Sequence, residues 1–263
     1  MTRNGLDEPG REPGREPGRE PEREPEREPG REPGREREPE REPEPEPEPR
    51  IIKVPDDPEQ WPTLVEVGSR VIGRGGLVVL PTDTLYGVGC DPFSSGAVEA
   101  LFKAKGRGRD LPLPVLVHSW RQAVGLVEDV TEQARSLIAE FWPGPLTIVL
   151  REAPGIGWDL GYSRGTVAVR MPKQDFALAL IEGTGPLAVT SANRSGQPTA
   201  SSVDVIVRDL PDVDVLFDAG ESSGGPASTI VDLSGPGPRL LRSGAIAPYE
   251  IESVLEEPLV DGV

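Results

Sequence analysis

The sequence predicts an α/β fold built on a twisted, mixed sheet, and three observations carry that expectation. Short apolar runs, starting at Leu77-Val-Val-Leu80, recur between segments of helical periodicity. Glycine, proline and small polar residues punctuate them. Strand-like and helix-like segments interleave to the end of the chain instead of clustering, which is the order of an α/β domain.

The first fifty residues stand apart. From Pro9 to Arg50 only Arg, Glu, Pro and Gly occur, first as Arg-Glu-Pro-Gly and Arg-Glu-Pro-Glu repeats and then as Glu-Pro from Glu42 to Pro49. Residues 1–50 hold 11 of the 28 Lys+Arg and 17 of the 45 Asp+Glu, so they carry −6 of the net −17 and leave −11 on the rest. With no hydrophobic side chain after Leu6 the segment cannot offset its chain entropy, so residues 1–50 are expected to be a disordered, semi-stiff low-complexity tail. It is expected to be dispensable for chemistry. The folded domain is expected over 51–257, with 258–263 as a short C-terminal tail.

Within the domain, Leu64, Val67, Val71 and Ile72 mark a helix that Gly73, Gly75 and Gly76 end. Leu77–Leu80 is a continuous apolar run, as in a strand buried on both faces. Ser94 or Ser95 caps a helix through Lys105, 115–117 reads as a strand, and Thr131 caps a helix ending near Phe141. Strands follow at 146–150, 166–170, 186–190, 213–217, 229–233 and 239–242. A helix at 174–182 lies among them, and another at 248–255 closes the domain.

Composition narrows the function classes. The acidic balance argues against a broad basic surface for nucleic acid, though not against a local basic pocket. Cys90 is the single cysteine and His118 the single histidine, which removes a disulfide framework, a cysteine-built metal site and any His-rich cluster. No long apolar run or leader pattern occurs, so a cytoplasmic protein with no membrane segment is expected. Gly68–Gly75 lacks the Lys-Ser/Thr of a phosphate-binding loop, and Gly87-Val-Gly89 lacks the third glycine of a dinucleotide motif.

Four polar segments remain at the ends of buried strands, where open α/β sheets hold ligands. Pro81-Thr-Asp-Thr-Leu-Tyr-Gly87 is a pocket wall or a self-bonded turn. Lys105-Gly-Arg-Gly-Arg109 suits polyphosphate, because guanidinium forks match phosphate oxygens; equally, it is a helix C-cap. Thr190-Ser-Ala-Asn-Arg-Ser-Gly196 can cradle an anion with hydroxyls and N–H groups. The fourth is the pair Ser228-Thr229 and Leu241-Arg242-Ser-Gly244.

In order, these segments resemble the YrdC-like threonylcarbamoyl-AMP synthase family. The likeness runs from about Ile51 to Leu255 and includes Trp-Pro-Gly-Pro-Leu-Thr (142–147), Val-Ala-Val-Arg-Met-Pro (167–172) and Ser-Thr-Ile-Val (228–231). It implies a single domain with a large, positively lined cavity. The implied reaction joins L-threonine, bicarbonate and ATP into threonylcarbamoyl-AMP, with Mg²⁺ on the phosphates. The implied successor is a transferase complex acting on adenosine 37 of tRNA, with at most weak tRNA contact by this chain. By resemblance, Thr84, Arg170, Ser191 and Ser228 contact threonine. Lys105, Arg107, Thr166, Asn193, Ser201 and Arg242 contact ATP and the bicarbonate-derived group, with Lys105 and Arg107 as the catalytic charge stabilisers.

The pattern departs in three places. Gly108 stands where the family often has proline, and Leu111 and Leu116 stand where it often has Asn and His. Gln174-Asp175 replaces a usual His-Pro. His118, two residues beyond Leu116, is either a substitute for that His or a structural residue. Competing functions are RNA binding without catalysis, disfavoured by the −11 charge, and a carbamoyl-transfer ligase, whose usual zinc-finger cysteines are missing.

Overall fold

The computed structural model describes residues 49–200, 202–222 and 225–262. Apart from Pro49 and Arg50, the predicted tail lies outside the described residues.

Strand β1 (Arg50–Lys53) is followed by α1 (Trp61–Gly73), β2 (Val78–Leu80), β3 (Gly87–Cys90) and α2 (Ser95–Lys105). Next come β4 (Val115–Leu116), α3 (Trp120–Val124), α4 (Glu132–Phe141), β5 (Leu146–Arg151) and β6 (Thr166–Arg170). The second half holds α5 (Asp175–Thr184), β7 (Leu187–Ser191), α6 (Val203–Asp209) and β8 (Val215–Asp218). It ends with β9 (Thr229–Asp232), β10 (Arg239–Arg242), α7 (Pro248–Leu255) and β11 (Val260–Asp261). Helix starts follow side-chain chemistry. Ser94 Oγ accepts from Ala97 N at 3.3 Å and Thr131 Oγ1 from Ala134 N at 3.2 Å, each satisfying a first-turn N–H. Gly106, at φ 58°, ends α2 in the left-handed region.

All the strands form one sheet in the order β1-β8-β2-β3-β7-β4-β6-β5-β9-β10-β11. Parallel pairs (β1/β8, β2/β8, β4/β6, β5/β9, β10/β11) occur together with antiparallel ones (β2/β3, β3/β7, β4/β7, β5/β6, β9/β10), so the sheet is mixed, as expected. Both faces are covered. Val78 and Leu80 join Phe176, Leu180, Ile181 and Phe217 beneath α1 and α5, where Trp61 meets Phe176 edge-on at 5.8 Å between ring centres. Leu77 and Val79 face the other way, into a core with Leu101, Leu137, Ile148, Val169 and Ile251 of α2, α4, β5, β6 and α7. The alternation within one short strand explains why residues 77–80 are uniformly apolar.

Five elements carried no sequence signal: β1, β3, α3, α6 and β11. The last lies in the stretch expected as a C-terminal tail, parallel to β10. In β3 the two glycines mask the strand. A Cβ on Gly87 would sit 2.5 Å from Val189 Cγ1, and one on Gly89 2.8 Å from Val189 Cγ2. The Gly-Val-Gly run therefore lets β7 lie close and is unrelated to a dinucleotide. No helix among the described residues is long and apolar enough to cross a membrane.

Candidate active site

A cavity of about 380 Å³ opens where the ends of β4, β5, β6, β7, β9 and β10 meet the loop after β2. Register assembles it. Leu116 stands beside Arg170 across β4/β6, Thr147 beside Ile230 across β5/β9, and Gly87 beside Ser191 across β3/β7. Residues far apart in sequence thus share one patch of sheet. A roomier groove of about 610 Å³ lies at the opposite ends of β2 and β8, among Arg70, Arg74 and Lys103. There Asp214 pairs with Arg74 at 2.8 Å and accepts from Leu77 N at 2.9 Å. None of the predicted site residues lines that groove, so the smaller cavity is the candidate.

Three guanidiniums face into the cavity. Arg107 donates through Nη1 to Thr190 Oγ1 at 3.1 Å and through Nη2 to Leu111 O at 2.6 Å. Its Nε–H is buried with no hydrogen-bond partner among the described residues. Arg242 donates to Ser228 O at 3.0 Å and Ser228 Oγ at 2.9 Å. Arg170 is buried and donates to Gly144 O at 3.0 Å, Thr84 Oγ1 at 3.1 Å and Asp83 Oδ1 at 2.7 Å. Burial pushes all three below the ordinary arginine range; Asp110 opposes this at Arg107 and Asp83 at Arg170, and the charge of Arg242 adds a smaller push downwards on both. The arginines feel one another across the cavity. Three cations held together in a partly dry space are complementary to a polyanion.

Hydroxyls complete the wall. Ser228 Oγ lies 2.8 Å from Thr147 Oγ1, and Thr82 Oγ1 lies 3.1 Å from Thr84 Oγ1 and accepts from the Leu85 N–H at 3.2 Å. The turn reading and the pocket reading of 81–87 are both correct, because the self-bonded turn is what presents Thr84. Ser191 Oγ donates to Asn193 Oδ1 at 2.6 Å, and Asn193 Nδ2 reaches Gln197 O at 2.6 Å. Gly244 lets the chain after β10 pack against the backbone at Ser228, since a Cβ there would meet Ala227 O at 2.3 Å.

Some predicted residues stand elsewhere. Lys105 does not line the cavity. Its ammonium donates to Ser191 O at 2.6 Å, to Asn193 Oδ1 at 3.2 Å and to Asn193 O, so it anchors the 191–193 loop from behind. Burial, and then the Arg107 charge, lower it to about 8. Thr166 begins β6, four residues from Arg170 and therefore about 13 Å along the strand; its hydroxyl donates to Ser163 O at 2.7 Å. The structure does not bring it to the cavity wall. Ser201 lies outside the described residues, although nearby Thr199 lines the cavity. Thr84, Arg107, Arg170, Ser191, Ser228 and Arg242 are brought together, with buried Asn193 directly behind Ser191.

Thr147, Thr82, Thr190 and Asp83 were not singled out one by one, although each sits inside a segment that was. His118 lies beyond the end of β4 and off the cavity, its Nε2 3.2 Å from Ser119 Oγ. Leu116 lines the cavity in place of a His, whereas Leu111 is exposed and contributes its carbonyl to Arg107. Gln174 caps α5, accepting from Ala177 N at 2.6 Å. Trp142 packs in the core and donates to Leu146 O at 2.8 Å. The buried Cys90 thiol is pushed up to about 12, so it stays neutral and inert.

Among the described residues no three His, Cys, Asp or Glu cluster to hold a metal ion. Asp83 is committed to Arg170, so the described residues do not form a cage for Mg²⁺.

Comparison with known proteins agrees with this geometry. The family model described as Telomere recombination (Sua5/YciO/YrdC) matches residues 70–244. The threonylcarbamoyl-AMP synthase of Pyrococcus abyssi is 39% identical over 209 residues, 79% of this chain and 61% of that protein. A Mycobacterium tuberculosis protein that bears the same name provisionally is 48% identical over 200 residues, 76% of this chain and 92% of its own length. The crystal structure of P. abyssi Sua5 complexed with L-threonine superposes with a TM-score of 0.75 at 38% identity, covering 80% of this chain and 62% of that one. This chain thus spans about three-fifths of the archaeal protein and nine-tenths of the mycobacterial one. With a family model matched over most of the folded region, and relatives well above 30% identity across two thirds of the chain, this protein belongs to the Sua5/YciO/YrdC family.

Proposed function

We propose that the protein is a threonylcarbamoyl-AMP synthase, forming threonylcarbamoyl-AMP and pyrophosphate from L-threonine, bicarbonate and ATP. The observation that carries this reading is the convergence of Arg107, Arg170 and Arg242 on one hydroxyl-lined cavity, with an Arg107 N–H still unpartnered. The names of the relatives supply the substrates that fit it.

The chemistry needs no protein nucleophile. Threonine and bicarbonate combine with loss of water into an N-carboxylated amino acid. Its new carboxylate oxygen bonds to the α-phosphorus of ATP as the bond to pyrophosphate breaks. Charge grows on the non-bridging oxygens and on the leaving group, so preorganised guanidiniums lower the barrier. In this reading Arg107 and Arg242 meet the phosphates. Arg170 takes the threonine carboxylate, while Thr84, Ser191 and Ser228 take its hydroxyl and amine. Lys105 acts one layer back through the Ser191–Asn193 loop, and Ser201 is assigned to ATP by the family resemblance alone. Mg²⁺ would enter on the oxygens of ATP. The product would pass to a transferase complex acting on adenosine 37 of tRNA in the cytoplasm, with only weak contact between this chain and tRNA.

The test is pyrophosphate release from ATP with threonine and bicarbonate supplied singly and together, and mass measurement of the product. Release only when both are present, with a product of threonylcarbamoyl-AMP mass, is expected. Release without threonine would overturn the reading.

A further inference from the structure

We propose that Asp83 is a positioning residue that divides the cavity into a charge-compensated threonine end and an uncompensated phosphate end. The inference rests on the synthase reading above. Asp83 and Arg170 are both largely buried, with side chains 13% and 8% exposed. Asp83 Oδ1 accepts from Arg170 Nη2 at 2.7 Å and from the Lys173 backbone N–H at 3.0 Å. One carboxylate oxygen therefore ties the loop after β2 to the end of β6 and to the chain beyond it. Gly144 O and Thr84 Oγ1 hold the same guanidinium on its Nε and Nη1. Each terminal nitrogen carries two hydrogens and spends one on these partners, so among the described residues one N–H on each remains for a ligand.

Among the described residues the other two arginines form no such ion pair. There Arg242 bonds to Ser228 and Arg107 to neutral oxygens, with Asp110 near enough to act on Arg107 only through space. The substrates divide the same way. Threonine arrives as a zwitterion of zero net charge, and ATP as a polyanion. An Arg–Asp pair offers threonine a directed donor without a net field, whereas a bare Arg170 would draw a phosphate into the amino-acid site. Because the pair is buried, deleting its acid also leaves an unpaired charge and a free guanidinium.

The experiment measures pyrophosphate release by the native chain, Asp83→Asn, Arg170→Lys and the double variant, with threonine and ATP varied in turn. Asn keeps an acceptor and removes the charge. Asp83→Asn is expected to raise the threonine KM by about five-fold or more while the ATP KM stays within about two-fold, a split that general loosening would not produce. In the Arg170→Lys background the same change should add less than about two-fold, because Asp83 acts through Arg170. If Asp83→Asn does not fold, Asp83→Ser, which removes the charge and keeps a small acceptor, should show the same split. An unmoved threonine KM, an equal rise in both KM values, or full additivity with Arg170→Lys overturns the proposal while native activity keeps the synthase reading intact. A native chain with no threonine-dependent release overturns both.

Discussion

Arg242→Ala separates a residue held for chemistry from one held for stability. In the folded state Arg242 makes two hydrogen bonds, both to Ser228, at 3.0 and 2.9 Å. Bonds of this kind contribute about 1 kcal/mol each when buried, and less here because Arg242 is solvent-accessible. Against that stands the field it exerts on Arg107 and Arg170, whose charged forms it disfavours. Truncation removes the attraction and the repulsion together, so the net stability change should stay within about 1 kcal/mol, roughly 2–4 °C for a domain of this size. Catalysis has no such compensation. Losing one charge-assisted contact to a phosphate in the transition state should lower kcat/KM for ATP at least ten-fold, about 1.4 kcal/mol. The assay pairs pyrophosphate release at varied ATP with a thermal melt of the same sample. A folded Arg242→Ala protein with native kcat/KM would remove Arg242 from the phosphate site. A midpoint lower by ten degrees or so would recast it as a clamp on Ser228.

Three further outcomes follow from the same geometry. Arg107→Ala should lose at least ten-fold in turnover, about 1.4 kcal/mol, and some stability as well, because Arg107 also ties Thr190 to the 111–112 loop; near-native turnover in a folded variant would contradict its role. In the same assay serine should replace threonine poorly but measurably, since a methyl is worth only about 1–3 kcal/mol, and valine should fail, because Thr84, Ser191 and Ser228 would lose their hydroxyl partner. Lys105 is lowered from 10.5 to about 8, so the unfolded chain binds the extra proton between those values. Its burial costs stability in full below pH 8, and stability rises with pH through that window; Lys105→Met should flatten the rise in melting midpoint, and an unchanged slope would count against it.

Much of this was legible because strands buried on both faces announce themselves. Residues 77–80 and 146–150 have no polar side to blur the signal except Thr147, and Thr147 points into the cavity. What failed was short or masked. The two glycines of β3 read as a broken ligand motif, since only the neighbouring Val189 shows why a side chain is forbidden there. Helices α3 and α6 are too short to establish a period. At the site, residue type was readable and direction was not. The spacing Lys105-Gly-Arg107 places two cations at the end of α2, but only the fold turns Arg107 into the cavity and Lys105 towards Ser191 O. Thr166 shares a strand with Arg170, and strand length alone separates them.

The same geometry resolves how a chain of net charge −17 keeps a cationic cavity. Its strands are short, so each ladder has two chemically distinct ends. Along β9 and β10, Arg239 stands opposite Asp232 and forms an ion pair with it at one end. At the other end Arg242 stands opposite Ile230, beside Ser228, with no carboxylate. The step from residue 239 to 242 is about 10 Å, as long as a Debye length, so the paired end does little to quench the open one. The β5/β6 ladder is the reverse, with Arg151 opposite the neutral Thr166 at the far end and Arg170 paired with Asp83 at the cavity. Because the sheet is mixed, the cavity ends of β6 and β10 point to the same place, where Arg107 follows from the end of α2. Net charge therefore says little about this site. What decides it is that, among the described residues, only one of the three cavity arginines is paired with a carboxylate.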